Sequence, residues 1–426
     1  MIDFDVYGLF TIVFFVFLFF VFAKSCIDVI AEPIALITIT LAFSMSFIWV
    51  VYGYSHYSLI VFFQLFLFFS FLRCGDLFAR KFFKIRKTDN SIPVNKNSII
   101  GLPFLTFFSW LAFFIIIILN AIHIYQSGSA LLSGNIDEAK TMGFSGGSGI
   151  IRRINWSLLY FDFFCFALLY RLTKHIGNVV AMAILTLLLI SLGSKGALIS
   201  VLVMFSVLFA SKSFFSGDRK RLNFKVFIYG GAGLLFSMFI FIISSDNFFE
   251  ALSKFYTRLM YFGDVNLYLN NDYVSQQFSH FDFFNFIDFA LNPLTSMFRL
   301  TDYYLPVGVQ FVHALNEGRI SIDGNYGPNL TFYATAILFF GWLGGGVFSS
   351  IVGFYVGFIR RVCITITITK PFRFLFYCYS YFLCLTLVTD PLMFIGIIYD
   401  SLFFVLGTIV FSKILWLLLK NRNIAG

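Results

Sequence analysis

The chain has 426 residues, of which 59% are hydrophobic and only 12% are charged, and its mean hydropathy is +0.88. These values exclude an ordinary soluble globular protein and indicate a polytopic membrane protein. The net charge of +9 fits Lys and Arg at the cytoplasmic ends of membrane helices, so it does not indicate nucleic-acid binding. The six cysteines show neither metal-ligand spacing nor a disulfide framework, and we expect no metal or cofactor.

Apolar runs recur along the whole chain and predict about eleven transmembrane helices, with ten or twelve also possible because two runs are short. We expect an all-α polytopic membrane protein with eight helices in residues 1–243, one large loop over 244–329, and three helices in 330–426. The apolar runs cover about residues 7–23, 34–54, 58–72, 98–122, 156–172, 177–193, 196–211, 226–244, 330–358, 372–389 and 392–418.

Basic clusters between these runs predict the orientation. With eleven crossings, the clusters at 73–97, 212–225 and 360–373 and the basic C-terminus all fall on one side, which the positive-inside rule assigns to the cytoplasm. The N-terminus and the loop 244–329 then face outward. The first apolar run has no basic segment before it and no small-residue cleavage site, so we expect no cleavable signal peptide.

Eight of the 30 Lys and Arg residues face outward in this topology, against the usual bias. An anionic ligand on the outer face would explain them, and so would loop solubility and local ion pairs. The eight are Lys140, Arg152, Arg153, Lys195, Lys254, Arg258, Arg299 and Arg319.

Four of these cations lie outside the large loop, namely Lys140, Arg152, Arg153 and Lys195. Arg152 and Arg153 follow a glycine-rich stretch, and adjacent arginines can hold a phosphate by bidentate hydrogen bonds or can anchor the next helix at the lipid headgroups. Lys195 lies in a short turn between two apolar runs, where it should meet a lipid phosphate or extend to the interface.

The large loop is predicted to contain two short helices. Residues 246–261 have an apolar stripe opposite Glu250, Lys254 and Arg258, which is typical of a helix lying on a membrane surface. The stripe consists of Phe248, Phe249, Leu252, Phe255, Tyr256 and Leu259. Glu250 and Lys254 are spaced to form an ion pair. Residues 307–317, between a proline and a glycine, form the second predicted helix.

On the second helix Gln310, His313 and Glu317 share one face, and a His one turn from a Glu can serve acid–base chemistry or make an ordinary surface contact. A turn-rich segment with Asp323, Asn325 and Asn329 then leads into a glycine-rich apolar run. Its glycines predict close helix packing.

Several short motifs resemble the bacterial O-antigen polymerases, integral membrane proteins that polymerise oligosaccharide repeat units. They are YTRLMYFGD at 256–264, and PVGVQF, GPN and FFGWLGGG within 306–346. GSKGAL resembles the Ser-Arg-Gly motif of that family and of the O-antigen ligases, with Lys195 in place of the arginine.

The resemblance implies a GT-C-like fold and a periplasmic active site in the bacterial inner membrane, without metal or nucleotide sugar. The donor would be a growing glycan on undecaprenyl diphosphate, and the acceptor the nonreducing end of a new lipid-linked repeat unit. A chain-length regulator protein is a further expected partner beside the lipid bilayer.

Applied to this chain, the chemistry needs cations for the diphosphate and one base for the acceptor hydroxyl. The expected binding residues are Arg152, Arg153, Lys195, Lys254, Arg258, Arg299, Arg319, Asn325 and Asn329. The candidate bases, which the sequence does not rank, are Asp264, His313, Glu317 and Asp323. Loop Tyr and Phe side chains could stack on sugar rings or lie at the membrane interface.

Two rival functions are retained. An O-antigen ligase carries a His-x-x-x-Asn signature, whereas this chain has Asn325 and Asn329 at that spacing, which favours the polymerase. A transporter of lipid-linked sugar would use ionisable residues inside helices, and Asp162 and Asp400 are the candidates of that kind.

Overall fold

The computed structural model describes residues 6–24, 33–83, 101–127, 148–191, 197–211, 214, 247–316 and 327–422. Over these residues the structure is 88% helical and has no strand, as expected for an all-α membrane protein. Six of the helices within these residues are long and apolar enough to span a membrane. Three shorter apolar helices accompany them, and the predicted run at 226–244 lies outside the described residues. The total of eleven spans therefore stays a prediction.

The described helices are numbered in chain order. Before the large loop they are α1 (Val6–Ala23), α2 (Pro33–Tyr52), α3 (His56–Phe82), α4 (Leu102–Ser127), α5 (Ser148–Thr173), α6 (Ile176–Ser191) and α7 (Ala197–Ala210). The loop contains α8 (Phe248–Met260), a 3₁₀ turn (Tyr261–Gly263), α9 (Val265–Leu269), α10 (Asp272–Gln277), α11 (Phe283–Met297) and α12 (Val307–Leu315). The rest are α13 (Phe332–Thr365), α14 (Pro371–Thr389), α15 (Pro391–Asp400), a π-helical turn (Ser401–Val405) and α16 (Leu406–Arg422).

The chain divides into two compact units, of which the first comprises residues 1–85, 217–361 and 381–395. In this unit α1 packs on α2, and α3 packs on α13 through glycines. A Cβ atom at Gly353 would lie 1.8 Å from the carbonyl oxygen of Leu72, and one at Gly75 would lie 2.0 Å from that of Ser350. The predicted close packing of the glycine-rich helix is thus confirmed, since only glycine allows these backbones to approach so closely.

The second unit comprises residues 86–216, 362–380 and 396–426. Here α5 packs between α4 and α6, and α16 packs on α4. The buried face of α5 is strongly aromatic: Phe161, Phe163, Phe164 and Phe166 are each at most 1% exposed. Phe161 meets Tyr379 edge to face, at 5.7 Å between ring centroids. Aromatic packing of this kind accounts for part of the high Phe content of the chain.

Helix α13 is broken at Gly341, where φ is 62° and ψ is −164°. That conformation is almost restricted to glycine, because a Cβ atom would clash with the neighbouring backbone. The helix therefore consists of a short stretch before Gly341 and a long stretch after it, and the long stretch carries the glycines that contact α3.

The two helices predicted in the large loop are both present, as α8 and α12. Helices α9, α10 and α11 were not predicted from the sequence, although α11 begins with a capping box in which Asp282 and Asn285 exchange hydrogen bonds with each other's backbone.

Candidate functional site

Helix α8 carries the first predicted ligand cations. The Asn247 side chain caps it by accepting a hydrogen bond from the Glu250 amide at 2.8 Å. The predicted ion pair is present, with Lys254 Nζ 2.7 Å from Glu250 Oε1. Since Lys254 is already paired, it is a weaker candidate for a ligand phosphate than an unpaired cation would be. The side chain of Arg258 lies outside the described atoms.

The buried face of α8 differs from the predicted stripe. Ala251, Tyr256 and Met260 are buried, whereas Phe248 and Phe249 are 54% and 78% exposed. Since α8 packs on α2 of the same unit, the position of α2 determines which face is covered. The exposed phenylalanines at the start of α8 fit the predicted contact with a membrane surface.

The YTRLMYFGD segment is anchored on α2 by its glycine. A Cβ atom at Gly263 would lie 2.7 Å from the carbonyl oxygen of Ser44, and the Ser44 hydroxyl donates a hydrogen bond to the Phe262 carbonyl at 2.8 Å. The next residue is Asp264, a candidate base, which is half-buried. This anchoring fixes the backbone position of Asp264 relative to a membrane helix.

The PVGVQF and GPN segments contact each other directly. A Cβ atom at Gly327 would lie 2.4 Å from the carbonyl oxygen of Gly308, so the two glycines permit a backbone crossing. His313 lies on α12, beyond the crossing, with a buried Nε2 atom that has no hydrogen-bond partner in the described part of the chain. Asn329 follows the crossing and is exposed.

Arg299 lies in an exposed loop after α11, with φ of 57°, in the left-handed region that non-glycine residues rarely adopt. The loop is held by the buried Asn292, whose side chain donates to the Asp302 carbonyl at 2.7 Å and accepts from the Tyr304 amide at 2.9 Å. Within the described residues the Arg299 guanidinium has no hydrogen bond or ion pair. Such an exposed cation on a fixed loop is available to an anion.

A cavity of about 290 Å³ lies within the first unit, where the loop helices α9, α10 and α12 meet α3 and α13. Its polar lining includes Tyr57, Gln64 and Asn266, and the Tyr57 hydroxyl donates to the Asn266 carbonyl at 2.7 Å. The other lining residues are Tyr268, Leu269, Val274, Ser275, Phe278, Ser279, Phe311, Ile337 and Leu338.

The aromatic residues of this cavity pack against one another. Phe311, which is fully buried, stacks with Tyr268 at 6.1 Å and meets Phe278 edge to face at 4.8 Å. The lining therefore combines aromatic rings with neutral hydrogen-bonding groups, and no lining residue is charged.

The predicted arginine pair of α5 belongs to the second unit. Arg153 forms an ion pair with Asp400, with Nη2 2.6 Å and Nε 2.8 Å from the same carboxylate oxygen. The Arg152 guanidinium lies over the Trp156 ring at 4.6 Å. The π-helical turn starts directly after Asp400, and turns of this type often occur at functional sites.

The predicted site residues are thus distributed over both units. Lys254, Asp264, Arg299, His313 and Asn329 belong to the first unit, Arg152 and Arg153 belong to the second, and none of them lines the cavity. Their roles stay predictions. Arg258 also belongs to the first unit, but its side chain lies outside the described atoms. The other five, Lys195, Glu317, Arg319, Asp323 and Asn325, lie outside the described residues.

The cavity residues Tyr57, Gln64 and Asn266 were not among the predicted site residues. One signal was present, because Gln64 carries an amide inside the apolar run 58–72, and polar groups inside membrane helices often have a function. In comparisons with known proteins, no protein-family model, no curated protein and no solved structure matches the chain.

Proposed function

We propose that the chain is a membrane glycosyltransferase of the O-antigen polymerase type. It transfers a growing glycan from undecaprenyl diphosphate to the nonreducing end of a new lipid-linked repeat unit, at the periplasmic face of the bacterial inner membrane. A GT-C-like fold and a chain-length regulator as partner belong to the same proposal. The supporting observation is the aromatic and neutral polar cavity formed where the large loop meets α3 and α13.

The proposed reaction exchanges one bond for another. The acceptor hydroxyl oxygen bonds to the anomeric carbon of the donor sugar, and the bond from that carbon to the diphosphate oxygen breaks. The hydroxyl proton passes to a base, and undecaprenyl diphosphate leaves with the electron pair. Among the candidate bases, Asp264 is preferred as the acceptor of this proton, because it lies two residues before the cavity residue Asn266.

The leaving diphosphate requires positive charge that is not already neutralised. Among the cations in the described part of the loop, Arg299 meets this condition best, because it is exposed and its guanidinium makes no hydrogen bond or ion pair within the described residues. Arg258 and Arg319 are retained from the sequence analysis as further diphosphate ligands.

Deletion of the gene in its host, followed by gel analysis of lipopolysaccharide, tests the proposal. We expect a single repeat unit on the core in place of the polymer ladder. Core alone would indicate a ligase or a translocation defect, and an unchanged ladder would refute the proposal. Arg258→Ala, Arg299→Ala and Arg319→Ala should each fail to restore the ladder, whereas Lys413→Ala, which removes a cation packed on Phe104 in the second unit, should restore it.

A transporter of lipid-linked sugar is the second candidate, because of one observation. Asp162 is fully buried in α5, and neither carboxylate oxygen has a hydrogen-bond partner among the described residues. Buried carboxylates inside membrane helices often belong to transport pathways. If Asp162→Asn stopped translocation of lipid-linked repeat units while polymerisation of units already outside continued, this candidate would replace the polymerase.

A further inference from the structure

The cavity of the first unit has no charged residue in its lining. A diphosphate placed there would lose its hydration without gaining a cation, at a cost that makes such binding unfavourable. Its volume of about 290 Å³ is at the small end for ligand cavities. The ligand that fits the lining is therefore small and uncharged.

The ligand must also be amphipathic. Tyr268, which is half-buried, and Phe278 supply apolar ring surface, and the fully buried Phe311 packs behind both rings. A pyranose ring offers C–H groups on its faces and hydroxyls around its edge, which is the distribution that such a lining requires. A purely apolar ligand would leave the polar groups of the cavity without partners.

Gln64 provides the most specific polar group. It lies on the third turn of α3, half-buried among apolar neighbours, and its side-chain amide makes no hydrogen bond within the described residues. An amide offers two donors and one acceptor, which matches a pair of sugar hydroxyls. The exposed hydroxyls of Ser275 and Ser279 donate to backbone carbonyls, so their oxygens can accept hydrogen bonds from a ligand.

We propose that this cavity binds the neutral terminal sugar ring of the acceptor repeat unit, with the Gln64 amide on its hydroxyls and the aromatic cluster against its ring. The inference rests on the proposed function for the identity of the acceptor. The substrate then has two subsites that differ in charge: the neutral ring binds in the cavity, and the diphosphate binds to cations outside it.

The test uses the purified full-length chain in lipid nanodiscs and the repeat-unit oligosaccharide released by mild acid from the deletion strain. Binding is followed by saturation-transfer NMR. We expect Gln64→Leu and Ser275→Trp each to weaken binding at least about tenfold, the second by filling the cavity. Gln277→Trp is the matched control, because Gln277 is exposed on the same helix and does not line the cavity, and it should bind as the wild type does.

Inorganic pyrophosphate serves as the charged probe and should not displace the oligosaccharide. Unchanged binding in both cavity variants, no binding by the wild type, or displacement by pyrophosphate would each overturn the inference. Thermal unfolding of every variant in the same nanodiscs shows whether a loss of binding reflects loss of folding. If Ser275→Trp does not fold, binding by Gln64→Leu alone tests the inference. The lipopolysaccharide ladder is scored separately. A normal ladder from the deletion strain would refute the polymerase, whereas weaker binding by the two cavity variants would still locate the sugar site.

Discussion

The backbone at Gly308 passes so close to Pro328 that a Cβ atom on Gly308 would lie 1.8 Å from the Pro328 carbonyl oxygen. This contact holds the start of α12 against the segment that leads into α13. Because both partners are backbone atoms, neither can move aside by changing a rotamer. The PVGVQF and GPN motifs are therefore one structural feature, although they are about 20 residues apart.

Gly308→Ala should destabilise the first unit by about 3 kcal/mol or more, since the new methyl group collides with backbone. The thermal unfolding midpoint in detergent measures the effect. Gly407→Ala is the control, because a Cβ atom there meets nothing within 4 Å. Equal midpoints for the two variants would mean that the crossing is absent in the folded protein.

Gly341→Ala should cost about 1–3 kcal/mol, because alanine is strained at φ of 62° and ψ of −164°. The same unfolding measurement applies. Gly149→Ala, where the added methyl group meets open space, should change stability much less. A fully stable Gly341→Ala protein would show that α13 continues through this position as a regular helix.

Arg153→Met and Asp400→Leu should each lower stability by about 2 kcal/mol, because each removes an ion pair between two largely buried side chains. The double variant should recover part of that loss, which a double-mutant cycle would show as a coupling energy. If the double variant folds and still restores the polymer ladder, Arg153 serves the packing of the second unit and is not a diphosphate ligand. Strictly additive losses would argue against the ion pair.

Asp390, in the single-residue link between α14 and α15, should make the stability of the protein depend on pH. Burial raises its pKa to about 6, although its side chain accepts a hydrogen bond from the Met393 amide. Because the folded-state pKa lies above that of the unfolded chain, the stabilising contribution of Asp390 is full below about pH 4 and is lost as the pH rises through 6.

Asp390→Asn keeps the cap at the start of α15 and removes the titration. The wild type should lose stability relative to this variant between pH 4 and pH 7, as measured by thermal unfolding across that range. Parallel pH profiles of the two proteins would contradict the assignment.

The predicted orientation can be tested at Ser275, which is exposed on α10 of the large loop. A phosphatase reporter fused there should be active, because this enzyme requires export, and a reporter fused after Arg422 should be inactive. The opposite pattern would reverse the topology and remove the basis for a periplasmic site.

The membrane class and the two loop helices could be predicted because they depend on local composition and periodicity. The helix start at Asn247 and the Glu250–Lys254 pair are likewise local. The cavity could not be predicted, since Gln64, Asn266 and Phe311 are brought together only by tertiary packing. For the same reason, the sequence could suggest outward cations but not that Arg153 would be paired with Asp400, about 250 positions later.

The break at Gly341 separates two parts of α13 with different attachments. The long part is tied to α3 by Gly353 and its neighbours, whereas the short part carries Ile337 and Leu338, which form one wall of the cavity. The two parts also contact each other, since a Cβ atom at Gly345 would lie 2.9 Å from the Ala336 carbonyl oxygen and Phe340 stacks on Phe348 at 4.8 Å. The angle between them, and with it the position of this cavity wall, therefore depends on a backbone conformation that glycine alone adopts readily.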